Sequence, residues 1–313
     1  MTRYAIKRTA LALVTIFVVT CATFLLMDAV PGSPWLSEKN PSPATIAALN
    51  EKYGLDKPVI VRLGLYLNHL VQGDMGVSLT MQKNRPVSTI IAEMFPVSAK
   101  VGAISLAWAV AVGIPLGCLA AWKRGKATDS ALRVVATVGI STPSFVLASL
   151  LLAVFAGGLG AWFPATFDAA LGWRAYVLPC LALGFYPMCY TARQTRSAML
   201  DALGQEYIRT ARAKGLSTGK ILFKHALRNA LIPVITYLGP QVAFTLCGGF
   251  VVESVFSVPG LGRYFVQSIQ NRDYPLIMGT TIFLATFIIL MNLVVDLLYK
   301  LADPRINLAK GGA

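Results

Sequence analysis

With 56% hydrophobic and only 13% charged residues among 313, this chain is too apolar for an ordinary soluble domain, in which about 25% of residues are charged. The net charge of +14 would suit a nucleic-acid partner. However, most of the 28 lysines and arginines flank apolar segments, as is typical of the charge bias of membrane proteins. Composition and charge therefore indicate a membrane protein with lipid neighbours and no nucleic-acid partner.

Six apolar segments are each long enough to cross a bilayer core, which takes about 20 helical residues. The segments are continuous rather than alternating, which favours helices over the strands of a barrel. The sequence thus predicts an all-α integral membrane protein with six transmembrane helices. The predicted spans are Thr9–Val30, Val97–Trp122, Leu132–Trp162, Ala175–Thr191, Asn229–Val252 and Leu276–Tyr299.

The distribution of basic residues predicts that both termini lie in the cytoplasm. The first apolar stretch is too long for a cleaved signal peptide, so we interpret it as a retained span. The loop that follows is expected to lie outside and to hold two short helices, one after Pro43 and one after Pro58. The second helix has one apolar face, which is expected to lie along the membrane or to pack on the spans; its residues are Val59, Leu63, Tyr66, Leu67 and Leu70. The predicted organisation is a cytoplasmic segment and first span at 1–30, this outer loop at 31–96, a core of five spans at 97–300 and a cytoplasmic tail at 301–313.

A basic insert between two spans, residues 193–228, carries eight basic residues and two acidic ones. Its pattern predicts one helix over Gln205–Lys214, a stop at Gly215, and a second helix capped by Ser217 that ends at about Arg228. Ala211 and Gly215 stand four residues apart and form a small-residue knuckle near the break. Such a knuckle suits docking into a groove of another protein. The alternative is a helix pair that rests on anionic lipid headgroups.

Motifs of enzymatic chemistry are absent from the sequence. It holds no H-E-x-x-H or G-x-S-x-G pattern, only two histidines, and five cysteines without zinc-binding spacing. Residues 215–221, GLSTGKI, differ from a phosphate-binding loop because the first glycine is one residue too close and Ile221 replaces the hydroxyl residue. We therefore predict no catalytic residue, no metal and no nucleotide site in this chain.

Acidic residues in or beside the predicted spans are few and lie near their ends, at Asp28, Glu253 and Asp296. Ion-coupled transporters usually place carboxylates near the middle of the membrane. The pattern thus disfavours an ion-coupled secondary transporter. A membrane scaffold without transport activity remains a second alternative.

The basic insert resembles the EAA coupling loop of the membrane subunits of bacterial ABC importers. Arg209, Thr210 and Ala211 align with the E-A-A part, Gly215 with its glycine and residues 225–228 with the distal part, although arginines replace the glutamate and the final proline. The sequence of the insert is similar to that of peptide permeases, most of all the B-type subunit of oligopeptide permeases. Dipeptide and nickel permeases are the alternatives. Further similar motifs are IRTARAKGL at 208–216, PGSP at 31–34, FPVSAKVG at 95–102, HALRNA at 225–230, NRDYP at 271–275 and DPRI at 303–306.

This resemblance implies the type I ABC importer permease fold, with a cytoplasmic coupling helix, in the bacterial inner membrane. It also implies a second, related permease subunit, two cytoplasmic ATPases that bind ATP and magnesium, and a periplasmic or lipid-anchored peptide-binding protein. The substrate path is not predicted. The residues expected to contact an ATPase are Glu206, Arg209, Thr210, Ala211, Lys214, Gly215 and Leu216.

Overall fold

The computed structural model describes residues 2–29, 57–158 and 161–302, and over these residues it is nearly all helical. The predicted helix after Pro43, the PGSP and DPRI motifs and the tail from residue 303 lie outside the described residues. The helices are α1 Thr2–Ala29, α2 Val59–Val71, α3 Val87–Trp122, α4 Ala127–Ser141, α5 Ser144–Leu152, α6 Arg174–Leu203, α7 Glu206–Ala213, α8 Thr218–Lys220, α9 Leu227–Leu246, α10 Phe250–Val255, α11 Leu261–Gln270 and α12 Tyr274–Ala302.

Five helical segments in the described ranges are long and apolar enough to cross a membrane, which confirms the all-helical membrane class. The pair α4 and α5 gives a sixth crossing if it is counted as one bent span. The predicted span Leu132–Trp162 corresponds to this pair, and the chain bends by 103° between its two helices. Thr142 has an extended ψ of 120°, the conformation that the ring of the following Pro143 imposes on it.

The helices are longer than the predicted spans on both sides of the basic insert. Residues 193–203, which we expected to belong to the insert, continue α6 as one helix to Leu203. After α8, a π turn over Ile221–Ala226 leads into α9, so the second predicted helix does not end near Arg228. A spanning helix makes its backbone hydrogen bonds internally, so it can continue beyond the bilayer as polar and charged residues. The end of the apolar stretch therefore does not mark the end of the helix.

The chain forms two compact units, and the first comprises residues 1–97 and 260–293. In this unit α2 packs on α1, where Arg62 pairs with Asp28 and the rings of Phe24 and Tyr66 lie 5.7 Å apart. The apolar face predicted for α2 is confirmed, because its members are all partly buried while most other residues of the helix are exposed. These members are Val59, Leu63, Tyr66, Leu67 and Leu70.

Asp273, in the NRDYP motif, joins two loops of the first unit. Its fully buried carboxylate accepts a hydrogen bond of 2.5 Å from the Ser78 hydroxyl and bonds of 3.0–3.1 Å from the backbone N–H groups of Leu79, Thr80 and Met81. Burial by itself would raise the pKa of Asp273, but these four donors together hold it below the ordinary value. The ionised carboxylate therefore fixes residues 78–81 beside the start of α12.

The second unit comprises residues 98–259 and 294–313, and glycines let its helices approach closely. A Cβ added to Gly117 of α3 would lie 2.5 Å from both the Ala192 carbonyl oxygen and the Thr195 Cβ of α6. A Cβ at Gly113, one turn earlier, would lie 2.8 Å from the Met188 carbonyl oxygen. These contacts confirm that small residues in the spans serve close helix packing.

Candidate functional site

Helix α7 ends where the sequence predicts, at a glycine in the left-handed conformation. Gly215 has a φ of +72°, which L-residues with a side chain rarely adopt. Its N–H donates to the Arg212 carbonyl at 2.9 Å, and the N–H of Leu216 donates to the Ala211 carbonyl at 3.3 Å. This pair of bonds is a Schellman motif, and it turns the chain from α7 towards α8.

The inner face of α7 is part of the hydrophobic core of the second unit. Ile208 and Ala211 are only 1% and 5% exposed. They pack in a cluster with residues of α3, α6 and α9, among them Cys118, Met199 and Ala230. Of the two small residues in the predicted knuckle, Ala211 is buried, where its small side chain lets α7 lie flat on the core, and Gly215 is at the surface.

The outer face of α7 carries most of the residues that we predict to contact an ATPase. Glu206, Arg209, Thr210, Lys214 and Gly215 are all exposed, while Leu216 is partly buried against the cluster beneath. The Arg209 guanidinium contacts the Glu206 carboxylate at 2.8 Å, and both side chains are more than two-thirds exposed. Such an exposed ion pair contributes roughly 0–1 kcal/mol, so both groups are available to another surface at little cost.

The segment after Gly215 packs on the same core, because Ile221, Leu222 and Ala226 belong to the buried cluster beneath α7. Ser217 precedes α8 as predicted, although its side chain makes no capping hydrogen bond. The Asn229 amide at the start of α9 donates to the Tyr207 hydroxyl of α7 at 2.9 Å. Helix α7 is thus held by its apolar face below and by a polar contact to α9.

A cleft of about 530 Å³ opens beside α7. Its charged lining residues are Arg124, which follows α3, and Arg212 of α7, and the exposed ring of Trp122 lies next to them. The remaining walls are mostly apolar and come from the ends of α3 and α6 and from α8 and the π turn. The arrangement offers a basic, partly apolar groove to a protein segment that carries acidic side chains.

An ion pair that the sequence did not suggest joins α4 to α6. Asp129, in the first turn of α4, is 1% exposed. Its carboxylate accepts bonds of 2.6 and 2.9 Å from the guanidinium of Arg196 on α6, and one of 3.0 Å from the Gly125 N–H. Arg196 is one of the eight basic residues of the predicted insert, but its guanidinium is directed to Asp129 within the protein.

Residues 113–308 match the family model described as the binding-protein-dependent transport system inner membrane component. The chain belongs to this family. Residues 1–102 match the corresponding N-terminal membrane-component model. The family and the apolar helices together show that the chain is an integral membrane protein.

Three named relatives extend over practically the whole chain. It is 46% identical to the dipeptide transport system permease protein DppB of Bacillus subtilis, with all of both chains covered. It is 41% identical to the oligopeptide permease protein OppB of Haemophilus influenzae and 40% identical to the glutathione permease protein GsiC of Salmonella choleraesuis, each alignment covering 98% of this chain. The predicted resemblance to peptide permeases is confirmed, and these names do not distinguish one peptide length from another.

The fold is similar to that of one chain in an inward-facing crystal structure of the MetNI methionine ABC transporter. The TM-score is 0.53 at 16% identity, with 69% of this chain and 97% of that chain covered. This similarity confirms the predicted type I importer fold.

Proposed function

We propose that this chain is a membrane subunit of an ATP-driven importer that carries peptides, oligopeptides first among them, into the cytoplasm. The observation that carries the proposal is α7, a short helix with a buried apolar face and an exposed polar face. Its sequence resembles an importer coupling loop, and the relatives named above are permeases for dipeptides, oligopeptides and glutathione.

In this proposal α7 lies on the cytoplasmic side and inserts into a groove of an ATPase subunit. The exposed residues Glu206, Arg209, Thr210 and Lys214 make the polar contacts, and Gly215 allows the partner backbone to approach. Ala211 and Leu216 act from behind, by holding the helix on its own core. ATP hydrolysis belongs to the partners, in agreement with the lack of a phosphate-binding motif in this sequence.

The assembly that we propose contains four kinds of component besides lipid. They are this chain, a second and related permease subunit, a pair of cytoplasmic ATPases, and a periplasmic or lipid-anchored protein that delivers the peptide. The excess of lysine and arginine between the middle of α6 and the start of α9 supports a cytoplasmic location for both termini and for α7, in a bacterium whose inner membrane holds the complex.

Peptide uptake by the reconstituted complex tests the proposal. We expect uptake to require ATP and the binding protein, and to stop when the ATPase subunits carry a substitution that abolishes hydrolysis. Uptake that persists with inactive ATPases but collapses with an ionophore would instead support a secondary transporter. Failure of the chain to co-purify with an ATPase pair stimulated by the loaded binding protein would favour a scaffold.

The docking role of α7 has its own test, Gly215→Arg. The positive φ makes any side chain at position 215 unfavourable by about 1–2 kcal/mol. An ideal Cβ there meets no atom within 4 Å, so the membrane part should still fold and insert, and Gly215→Ala is the control for the backbone strain alone. We expect release of the ATPase, or hydrolysis without transport, because bulk is added where the partner approaches. Normal assembly and transport in this variant would contradict the docking role and favour the lipid-headgroup alternative.

A further inference from the structure

A second cleft, of about 420 Å³, lies in the second unit at the bend between α4 and α5. Many of its lining residues are polar, although they belong to segments that are long and apolar enough to span a membrane. The polar lining residues are Ser141, Thr142, Ser144, Tyr186, Gln241 and Thr245. The volume is within the roughly 300–1,000 Å³ of ordinary ligand sites.

Three aromatic rings extend the polar lining of the cleft along α6 and α9. The rings of Tyr190 and Tyr237 stack at 4.0 Å between centroids, and Tyr186 lies 6.3 Å from Tyr190. The guanidinium of Arg193, one turn further along α6, lies 5.1 Å from the centre of the Tyr190 ring.

Side chains one turn apart on α9 continue the line from the aromatic rings into the cleft. The Tyr237 hydroxyl donates to the Gln241 amide oxygen at 3.3 Å, and the Gln241 amide nitrogen donates to the Thr245 hydroxyl at 3.1 Å. We name the connected set the polar strip. It consists of Tyr186, Tyr190, Arg193, Tyr237, Gln241 and Thr245.

The polar strip is accessible rather than sealed inside the unit. Tyr186 is 40% exposed, Arg193 is exposed, and Tyr190, Tyr237 and Gln241 are partly exposed, whereas Thr245 is buried at the inner end of the strip. Polar groups within spanning helices are costly against hydrocarbon and normally face a bundle interior or a water-filled cavity. The face that carries the strip is therefore an unfavourable surface for lipid.

We propose that the polar strip is a wall of the translocation path and contacts the main chain of a peptide in transit. This inference depends on the proposed function. Tyrosine hydroxyls and the Gln241 amide both donate and accept hydrogen bonds without a net charge, so they match the amide groups that every peptide carries. The flat tyrosine rings provide contact area for varied side chains, and Arg193 offers one positive charge to a peptide carboxylate.

Site-specific crosslinking within the assembled complex tests this contact directly. The photoreactive residue p-benzoylphenylalanine replaces Tyr186 or Tyr237, and a labelled oligopeptide is supplied with the binding protein and ATP. The control is the same replacement at Ile232, which is 51% exposed and lies on the opposite side of α9 from the strip. We expect crosslinks to the peptide from both strip positions, competed by unlabelled peptide, and none from position 232.

Transport by conservative variants gives a second measurement. Gln241→Leu and Tyr237→Phe should each lower peptide transported per ATP hydrolysed by about fivefold, the effect of one lost hydrogen bond. Thr236→Val is the matched control, because the Thr236 hydroxyl donates to the Ile232 carbonyl of its own helix at 3.0 Å. It should transport as the wild type does, and co-purification with the partners verifies that every variant folds.

The outcomes separate this inference from the proposed function. If the wild-type complex takes up no peptide, the proposed function fails before the strip is tested. If the wild type transports, but positions 186 and 237 crosslink only to the second permease subunit and both variants transport normally, the strip is a subunit interface. The inference is then wrong while the proposed function stands.

Discussion

The guanidinium of Arg196 on α6 holds the buried carboxylate of Asp129 on α4 through hydrogen bonds of 2.6 and 2.9 Å. Helix α6 ends at Leu203, three residues before α7 begins at Glu206. The ion pair therefore fixes, relative to α4, the segment that leads into the proposed coupling helix.

Arg196→Met should destabilise the protein, because it leaves the carboxylate of Asp129 buried without its main partner. Because Arg196 is 21% exposed and the Gly125 N–H and Arg133 remain beside the carboxylate, we expect a cost of about 1.5–3 kcal/mol, that of a lost hydrogen bond to a charged group. Thermal unfolding in detergent measures the effect. Arg133→Met is the control, since Arg133 is 54% exposed and 3.7 Å from the same carboxylate, and it should cost no more than about 1 kcal/mol. Equal effects of the two variants would contradict the special role of Arg196.

Gly215→Ala tests the left-handed turn after α7. The new Cβ meets no neighbour, so the cost is the backbone conformation alone, about 1–2 kcal/mol. Gly219→Ala, four residues later in α8, also meets no neighbour and has no positive φ, so it should be neutral or stabilising by about 0.5–1 kcal/mol. Differential thermal stability of the two variants checks the sign, and a destabilising Gly219→Ala would contradict it.

Asp273 should make the stability of the first unit depend on acid pH. Its folded pKa is lowered, so the unfolded chain, with an aspartate pKa of about 3.9, takes up the proton first. The stabilisation is fully present above about pH 5 and is lost as pH falls through the folded pKa. Asp273→Asn should cost about 1.5–3 kcal/mol at neutral pH and progressively less below about pH 4.

Unfolding of wild type and Asp273→Asn across pH 3–7 checks this dependence, with pH values chosen to bracket an aspartate pKa of about 3.9. Asp168→Asn is the control, because Asp168 is exposed and caps a short turn through the Ala170 N–H, which asparagine also does. A difference between Asp273→Asn and wild type that stays constant with pH would show that ionisation is not the cause.

Gly117→Ala should disturb the contact between α3 and α6. The methyl group would lie 2.5 Å from backbone and side-chain atoms of α6, and overpacking of this kind costs about 1–3 kcal/mol. Gly64→Ala in α2 is the control, because an added Cβ there meets nothing within 4 Å. Thermal stability of the purified subunit distinguishes the two, and a neutral Gly117→Ala would show that the helices separate easily.

Local signals in the sequence predicted the parts of the fold that local physics controls. The amphipathic pattern after Pro58 predicted α2 and its partly buried apolar face, and the glycine after a helical run predicted the stop at Gly215. Proline is less decisive: Pro143 separates two helices, whereas Pro179 and Pro187 lie within α6. Whether neighbouring groups compensate for the missing N–H depends on tertiary packing, so the sequence does not show which of these prolines ends a helix.

The sequence by itself determined the class of this protein, its approximate spans and the segment proposed to contact an ATPase, because hydrophobic length, charge bias and helix stops are local properties. Only the tertiary structure decided that Ala211 faces inward, that Arg196 reaches Asp129, and that Tyr190 stacks on Tyr237. Each depends on the rotation and packing of helices that are far apart in the chain. The number of residues between two side chains does not determine whether they meet; the faces that their helices bury do.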